Sequence, residues 1–246
     1  MNHQDRELLS IIVPVYNEVR TVLAVIERLQ QIDLPVKREI VIVNDGSTDG
    51  TREVLDAGVL PTPSEAEGDS GIRVFHVSPN AGKGAAIRRG FSEARGTIVA
   101  IQDADLELDP QQLSTLVAPI LRGDASVVYG SRFLAGRPDA PWMTIAGNRA
   151  LTAVTNMLFG ASITDMETCY KIMRTEVARS LALDANRFDI EPQITARLLR
   201  AGHRIHELPV KFDPRSRAQG KKIGWRDGVR ALEVLVRERF RKSKSP

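Results

Sequence analysis

The chain has 246 residues, 42% hydrophobic and 26% charged, the make-up of a globular protein able to bury a substantial core. A formal net charge of +3 gives no reason to expect nucleic acid as a partner, and the lone Cys169 excludes an internal disulfide and fits a reducing compartment. No Cys/His group has zinc-ligand spacing. The N-terminus lacks the basic-then-apolar pattern of a signal peptide, and the longest apolar candidate, Trp142 to Phe159, is interrupted by Asn148, Arg149 and Asn156. The expectation is a protein that is soluble or rests on a membrane surface.

Ser10 to Tyr16 reads as a strand and Val22 to Gln31 as an amphipathic helix. A second strand spans Glu39 to Asn44, and a helix follows from Asp49 to Ala57. Residues 59–71 are turn-rich, acidic and aperiodic, the pattern of a surface loop. A third strand, Ile72 to Val77, precedes a helix from Lys83 to Ala94. Gly96 to Gln102 is the fourth strand, Asp109-Pro110 opens another helix, and Ala125 to Gly130 is the fifth strand. Continuous apolar strands alternating with helices indicate a mostly parallel sheet covered on both faces.

The second half is more mixed. Its pattern predicts a helix over Ile145 to Phe159, a short strand near Cys169 to Arg174 and a helix from Glu191 to Ala201. A strand at Ile205 to Val210 leads into a basic loop, and an amphipathic helix runs from about Gly224 to Phe240. Trp225, Val229, Leu232, Val236 and Phe240 recur at helical spacing, and the expectation is that the first two turns of this stripe pack on the domain. The basic tail beyond them is suited to anionic lipid.

Chemistry concentrates at Asp103-Ala104-Asp105-Leu106-Glu107, at the end of the fourth strand. Three carboxylates this close oppose one another's ionisation unless a cation sits among them. Oxygen ligands favour a hard ion such as Mg2+ or Mn2+ that completes its shell from substrate phosphates and water. The competing reading is an acidic turn that caps the next helix. In open α/β sheets ligands bind beyond the carboxyl ends of the strands. Tyr16, Asp45 and Asp103 all fall there. Tyr16 is suited to lie against a nucleobase, with Glu18 as a nearby acceptor. Asp45 is suited to accept from a base N–H or a ribose hydroxyl, and Asp49 to cap the second helix. Asn80-Ala81-Gly82-Lys83-Gly84 lacks Walker A spacing; its glycines allow close backbone approach, and Lys83 either supports a phosphate or faces solvent.

Val13-Pro14-Val15-Tyr16-Asn17-Glu18, the segment Val43 to Thr51, Asn80 to Gly84 and Asp103-Ala104-Asp105 together resemble the inverting family 2 glycosyltransferases of the GT-A fold. Gly130-Ser131-Arg132, Gly147-Asn148-Arg149, Thr164 to Lys171, Glu207 to Phe212 and the Arg215/Lys221/Lys222 loop resemble the dolichol-phosphate mannosyltransferase and polyprenyl-phosphate glycosyltransferase branch. The resemblance implies an α/β, Rossmann-like GT-A domain over residues 1–223, with an amphipathic helix and basic tail over 224–246. By the same resemblance Pro14, Tyr16, Glu18, Asp45, Lys83, Asp103, Ala104, Asp105 and Arg215, with Lys221 or Lys222, would bind the nucleotide sugar. Asp105 and Glu107, the latter where the branch usually has Gln, would hold Mg2+ or Mn2+. Arg132, Arg149 and Thr152 would receive an acceptor phosphate, and Asp105, Arg132 and Asp165 would sit at the catalytic centre. Asp165 and Glu167 are each able to serve as a base, and Asp165 alternatively fixes the acceptor loop.

A phosphate monoester is already anionic at pH 7, its second pKa being about 6. It therefore needs cations more than it needs a base, whereas a sugar hydroxyl needs a base close by. The reaction expected is transfer of a hexose to a polyprenyl phosphate at the cytoplasmic membrane face, by a peripheral protein that leaves room for a separate membrane-anchored partner. GDP-mannose is the favoured donor and UDP-glucose the next. The alternatives are a family 2 transferase acting on a soluble or cell-envelope sugar hydroxyl, and a nucleotide-sugar-binding protein without turnover.

Overall fold

The computed structural model describes residues 7–58, 71–214 and 225–241. The 59–70 segment and the basic-loop residues Arg215, Lys221 and Lys222 lie outside them.

The core is a seven-stranded sheet in the order β3-β2-β1-β4-β6-β5-β7. β1 (Leu8–Val15) is apolar on both faces and is buried from Leu9 to Val15, as a strand covered by helices must be. It pairs in parallel with β2 (Lys37–Asp45) on one side and β4 (Ile98–Ile101) on the other. β3 (Ile72–Val77) continues the parallel set beyond β2. The β4 register ends at Ile12↔Ile101, so Pro14, which has no N–H to give, lies beyond it. The connecting helices are α1 (Val22–Gln31), α2 (Thr51–Gly58), α3 (Lys83–Glu93) and α4 (Leu113–Leu121), the last entered through a 3-10 turn at Pro110–Gln112. Strand order reverses between β1 and β4, the kind of switch point at which such sheets open a ligand crevice.

Beyond β4 the arrangement departs from a simple alternation. β6 (Lys171–Arg174) inserts antiparallel between β4 and β5 (Val127–Ser131), and β7 (His206–Pro209) pairs in parallel with β5. Running against its neighbours, β6 begins at the rim where β4 and β5 end, so the segment before Lys171 is delivered to that rim. The remaining helices are α5 (Trp142–Phe159), α6 (Thr175–Ser180), α7 (Ile190–Arg200) and α8 (Trp225–Phe240). α5 starts three residues ahead of the predicted Ile145, directly after Pro141, whose fixed φ suits a helix entry. α6 is too short to show a helical period in the sequence.

The expectation that the first two turns of the Trp225–Phe240 stripe pack on the domain is not met at Val229 and Leu232. α8 buries Ala231, Val234, Leu235 and Glu238 against the domain, while Val229 and Leu232 remain 47% and 42% exposed. The reason is the partner offered to Glu238: its carboxylate accepts from Arg197 Nη2 at 2.8 Å and from Gln193 Nε2 at 3.1 Å, both on α7. Leu235, on the same face, packs with Ile163, Met166 and Ala196.

Candidate functional site

Four loops meet along the rim formed by the carboxyl ends of the parallel strands. After β1, Tyr16 is partly exposed and Asn17 adopts a left-handed conformation with φ of 52°. Asn17 N donates to Ser47 Oγ at 2.9 Å, and its own Oδ1 accepts from Thr48 N at 2.8 Å, stitching the β1–α1 loop to the β2–α2 loop. Asp49 accepts from Thr51 N at 3.0 Å at the start of α2 and from Val19 N at 3.2 Å. Burial works against its charge, but these hydrogen bonds outweigh it and hold the carboxyl below its usual range. Thr21 Oγ1 lies 3.0 Å from Glu18 Oε2 and 2.7 Å from the Ala104 carbonyl, joining the first loop to the acidic loop.

Asp45 is 2% exposed and its carboxylate is engaged within the protein. Oδ1 accepts from Ala81 N at 2.9 Å, and Oδ2 from Gly82 N at 2.6 Å and Asn80 Nδ2 at 2.8 Å. These bonds hold the Asn80-Ala81-Gly82 turn. The glycines that follow answer a need within the chain: a Cβ on Gly82 would lie 2.3 Å from Asn186 O, and one on Gly84 2.5 Å from Ala185 O. The close backbone approach anticipated there is made by the 185–186 backbone.

Lys83 is neither a solvent-facing side chain nor an open anion site. Its Nζ lies 2.9 Å from Asp103 Oδ1 and 3.0 Å from Glu191 Oε1. Burial opposes its charge, yet Asp103 and Glu191 push its pKa well above the usual lysine value. Glu191, at the first turn of α7, also accepts from Lys171 Nζ at 2.6 Å. Lys171 is wholly buried and donates in addition to the carbonyls of Met166 and Thr168. A buried chain of alternating charge, Asp103–Lys83–Glu191–Lys171, therefore runs from the acidic loop to the 166–168 backbone.

Within the acidic loop Leu106 is held at φ of 63°, a conformation that costs a non-glycine residue on the order of 1 kcal/mol or more. Asp105 Oδ1 accepts from Glu107 N at 3.1 Å, closing the turn, and Glu107 O accepts from Asp213 N at 2.9 Å. Among the described residues no three His, Cys, Asp or Glu side chains gather to hold a metal. With Asp103 neutralised by Lys83, the loop presents Asp105 and Glu107 as its remaining carboxylates. That donor set fits a hard divalent ion that takes most of its shell from phosphate and water, and does not fit a resident ion in an all-protein cage.

On the far side of β4, Arg132 follows β5 and meets Asp165 as a two-pronged pair: Nε to Oδ2 at 2.7 Å and Nη2 to Oδ1 at 2.8 Å. The Arg132 backbone N donates to the same Oδ2 at 3.0 Å. Asp165 is fully buried, and its own N donates to Glu207 Oε1 at 3.0 Å. Glu207 Oε2 also accepts from Thr164 N at 2.7 Å. Burial works against the charge on Arg132, but the carboxylates of Asp165, Glu167 and Glu107 outweigh it and hold its pKa above the usual value. The Phe212 ring, 5.2 Å from the guanidinium carbon, covers it. Thr152 is buried and accepts from Met166 N at 3.1 Å, while Arg149 is exposed and lies over the Phe133 ring. Glu167 has a buried Oε1 without a hydrogen-bond partner, and burial raises its pKa to about 7. Cys169 is buried and its thiol is pushed well above the usual range by burial.

The site thus joins Tyr16, Glu18, Asp45, Lys83 and Asp103 to Glu107 on one side with Arg132, Thr152, Asp165 and Glu167 on the other. Glu191 and Lys171 were not foreseen as site residues. Glu191 looks in sequence like an ordinary acidic helix start, and nothing local marks it as the anion between two buried lysines.

A sheet with this switch point, an acidic loop after its fourth strand and a second half delivered by one antiparallel strand is the GT-A glycosyltransferase fold. Over 97% of the chain and 80% of the other, it superposes with a TM-score of 0.70 at 20% identity on glucosyl-3-phosphoglycerate synthase from Mycobacterium tuberculosis, crystallised with Mn2+, uridine-diphosphate and phosphoglyceric acid. Residues 10–181 match glycosyl transferase family 2, and the chain belongs to that family. It is 29% identical over 231 residues to an undecaprenyl-phosphate mannosyltransferase of Micrococcus luteus, covering 91% of this chain and 90% of the relative. To glycosyltransferase AglD of Haloferax volcanii it is 29% identical over 215 residues, 84% of this chain but 33% of that protein, so the chain spans about a third of that relative's length.

Proposed function

We propose that the chain is an inverting hexosyltransferase that moves a sugar from a nucleotide-diphosphate donor to a polyprenyl phosphate at the cytoplasmic membrane face. The observation that carries this reading is Arg132: a guanidinium locked by Asp165 and covered by Phe212, whose neighbour Asp213 is bonded to the acidic loop at Glu107. An anionic acceptor needs fixed hydrogen-bond donors close to the donor diphosphate, and the guanidinium, held in one orientation by Asp165, supplies them. The undecaprenyl-phosphate mannosyltransferase among the relatives supports that acceptor class and favours mannose over glucose.

In this reading Tyr16 and Glu18 receive the nucleoside. Asp45 fixes the 80–82 turn on the same rim. Asp105 and Glu107 would hold Mg2+ or Mn2+, which supplies charge neutralisation to the diphosphate leaving group. Arg132, with Arg149, binds the acceptor phosphate, and Arg215 with Lys221 or Lys222 would contribute charge to the donor diphosphate. A phosphate oxygen attacks the anomeric carbon as the bond to the diphosphate breaks on the opposite face, which inverts the centre. The acceptor is already ionised, so Asp165 acts as a positioning residue for Arg132 and no proton need be removed.

The test is mass-spectrometric detection of product from GDP-mannose or UDP-glucose, Mn2+ and a short-chain polyprenyl phosphate. Glycosylated polyprenyl phosphate is expected; product formed only on soluble sugars overturns the acceptor assignment.

A further inference from the structure

No helix among the described residues is long and apolar enough to cross a membrane. Yet most of the large apolar side chains left exposed lie on two helices, α5 (Trp142, Met143, Met157) and α8 (Val229, Leu232, Val236, Phe240). These helices pack against each other. At about 100° per residue the exposed set on α8 lies opposite its buried set, Ala231, Val234, Leu235 and Glu238. The helix is therefore apolar twice: one face closes the domain and the other has no protein partner among the described residues.

Charge says what that outer face meets. Arg226, Arg230 and Arg237, at i, i+4 and i+11, form a row along one edge of the exposed stripe, and Arg241 just past the helix is tied to Asp184 and Glu238. A cavity of about 810 Å³ opens beside this row, lined by Arg230, Arg237, Phe240 and Arg241 with Arg187 across from them. Two carboxylates share its wall: Asp184, bound to Arg197 at 2.9 Å and Arg241 at 3.3 Å, and Asp189, which accepts from Arg187 N at 2.9 Å. An apolar stripe edged by arginines beside a basic recess matches acyl chains beneath a layer of lipid phosphates. A second copy of the chain would bring the same arginine row against itself, which disfavours a symmetric pairing on this face.

We propose that the outer face of α8 is a docking surface for an anionic phospholipid bilayer, with the stripe from Val229 to Phe240 entering the interface and the arginine row binding lipid phosphates. This deepens the reading of the chain as a polyprenyl-phosphate transferase, because the inner face of the same helix packs Leu235 on Ile163 and Met166, the residues flanking the segment that holds Arg132. Docking through α8 brings the acceptor side of the rim close to the bilayer that contains a polyprenyl chain.

The experiment is co-sedimentation of the full chain with vesicles of phosphatidylcholine alone or mixed with phosphatidylglycerol. The wild type is expected to bind the anionic vesicles and to bind neutral ones at least about tenfold more weakly. Combined Leu232→Ser, Val236→Ser and Phe240→Ser substitutions should cost at least about tenfold. Combined Arg230→Gln and Arg237→Gln should cost about fivefold for each arginine and flatten the salt dependence. All five side chains are exposed, so the thermal midpoint and the transfer rate to a short-chain, water-soluble polyprenyl phosphate should match wild type. Absence of wild-type binding, or binding that neither variant alters, overturns the proposal. So does a serine variant that changes a dimer to a monomer while vesicle binding persists, which would make this face a contact between copies. Binding without transfer in the wild type would overturn the activity and leave the docking surface standing; transfer without binding would do the reverse.

Discussion

Lys83 and Asp103 lie 2.9 Å apart, so the first carboxylate of the acidic loop is matched by a cation of the protein itself. The loop therefore needs less external charge than its composition suggests, and in the proposed function the divalent ion is assigned to Asp105 and Glu107. Asp105→Ala is expected to reduce metal-stimulated transfer by about 10²–10³-fold. Initial rates measured across a Mn2+ titration check this, and a variant that retains wild-type stimulation would remove Asp105 from the metal site.

Glu191 stands between two buried ammonium groups, 3.0 Å from Lys83 and 2.6 Å from Lys171. Removing one member of a buried charge set leaves the others uncompensated, at a cost of roughly 3–5 kcal/mol. Glu191→Ala should lose stability on that scale in urea denaturation. Adding Lys171→Met should recover part of it, since one stranded charge is then gone.

Arg132→Lys keeps the charge but loses the two-pronged contact with Asp165. Charge-assisted hydrogen bonds contribute about 1.5–3 kcal/mol, so kcat/KM for the acceptor should fall roughly 10–100-fold, with the KM for the nucleotide sugar little changed. Asp165→Asn should move the same parameter in the same direction without shifting the pH profile. Loss of the acidic limb of that profile would instead make Asp165 a proton acceptor.

Glu167 gives a pH signature of opposite sign to the usual carboxylate. Its pKa is raised from 4.5 to about 7, mainly by burial, with Glu191 and Asp165 adding to the rise and Lys171 and Arg132 opposing it. The folded state then holds a proton that the unfolded state has released, so this group's contribution is fully present below pH 4.5 and is lost as pH rises through 7. The scale is about 3 kcal/mol at 1.36 kcal/mol per pKa unit. Glu167→Gln cannot ionise, so its stability relative to wild type should increase between pH 4.5 and pH 7 in parallel denaturation series.

Gly84→Ala would place a methyl group 2.5 Å from the Ala185 carbonyl oxygen, where only backbone can yield. A loss of about 1–3 kcal/mol is expected, read as a lower urea midpoint at unchanged slope.

The first half of the fold was legible because buried parallel strands are written as unbroken apolar runs. β3 falls on its predicted residues, and so does α1. The second half was less so. Direction is not encoded in a strand as short as Lys171–Arg174, so its insertion against β4 and β5 could not be read locally. In α8 two apolar stripes compete, and the larger side chains drew the expectation outward; the buried stripe is selected by Glu238 and its partner Arg197, a pairing distant in sequence. The same limit governs the site. Rim residues such as Tyr16, Asp45 and Asp103 announce themselves by following apolar runs, whereas Lys83 and Glu191 acquire their roles only through one another.

The insertion of β6 also dictates an order of assembly. Among the described residues β5 pairs with β6 and β7, and with no strand that precedes it. As the chain emerges from synthesis, β1 to β4 are able to join at once, while β5 must wait until residue 171 has been made. Arg174 then reaches back to Glu7 at 2.6 Å, tying the newest strand to the start of the sheet. The half that carries the acidic loop is complete first, and the half that carries Arg132 condenses onto it; a chain stalled between the two would expose β5 as an unpaired, apolar edge.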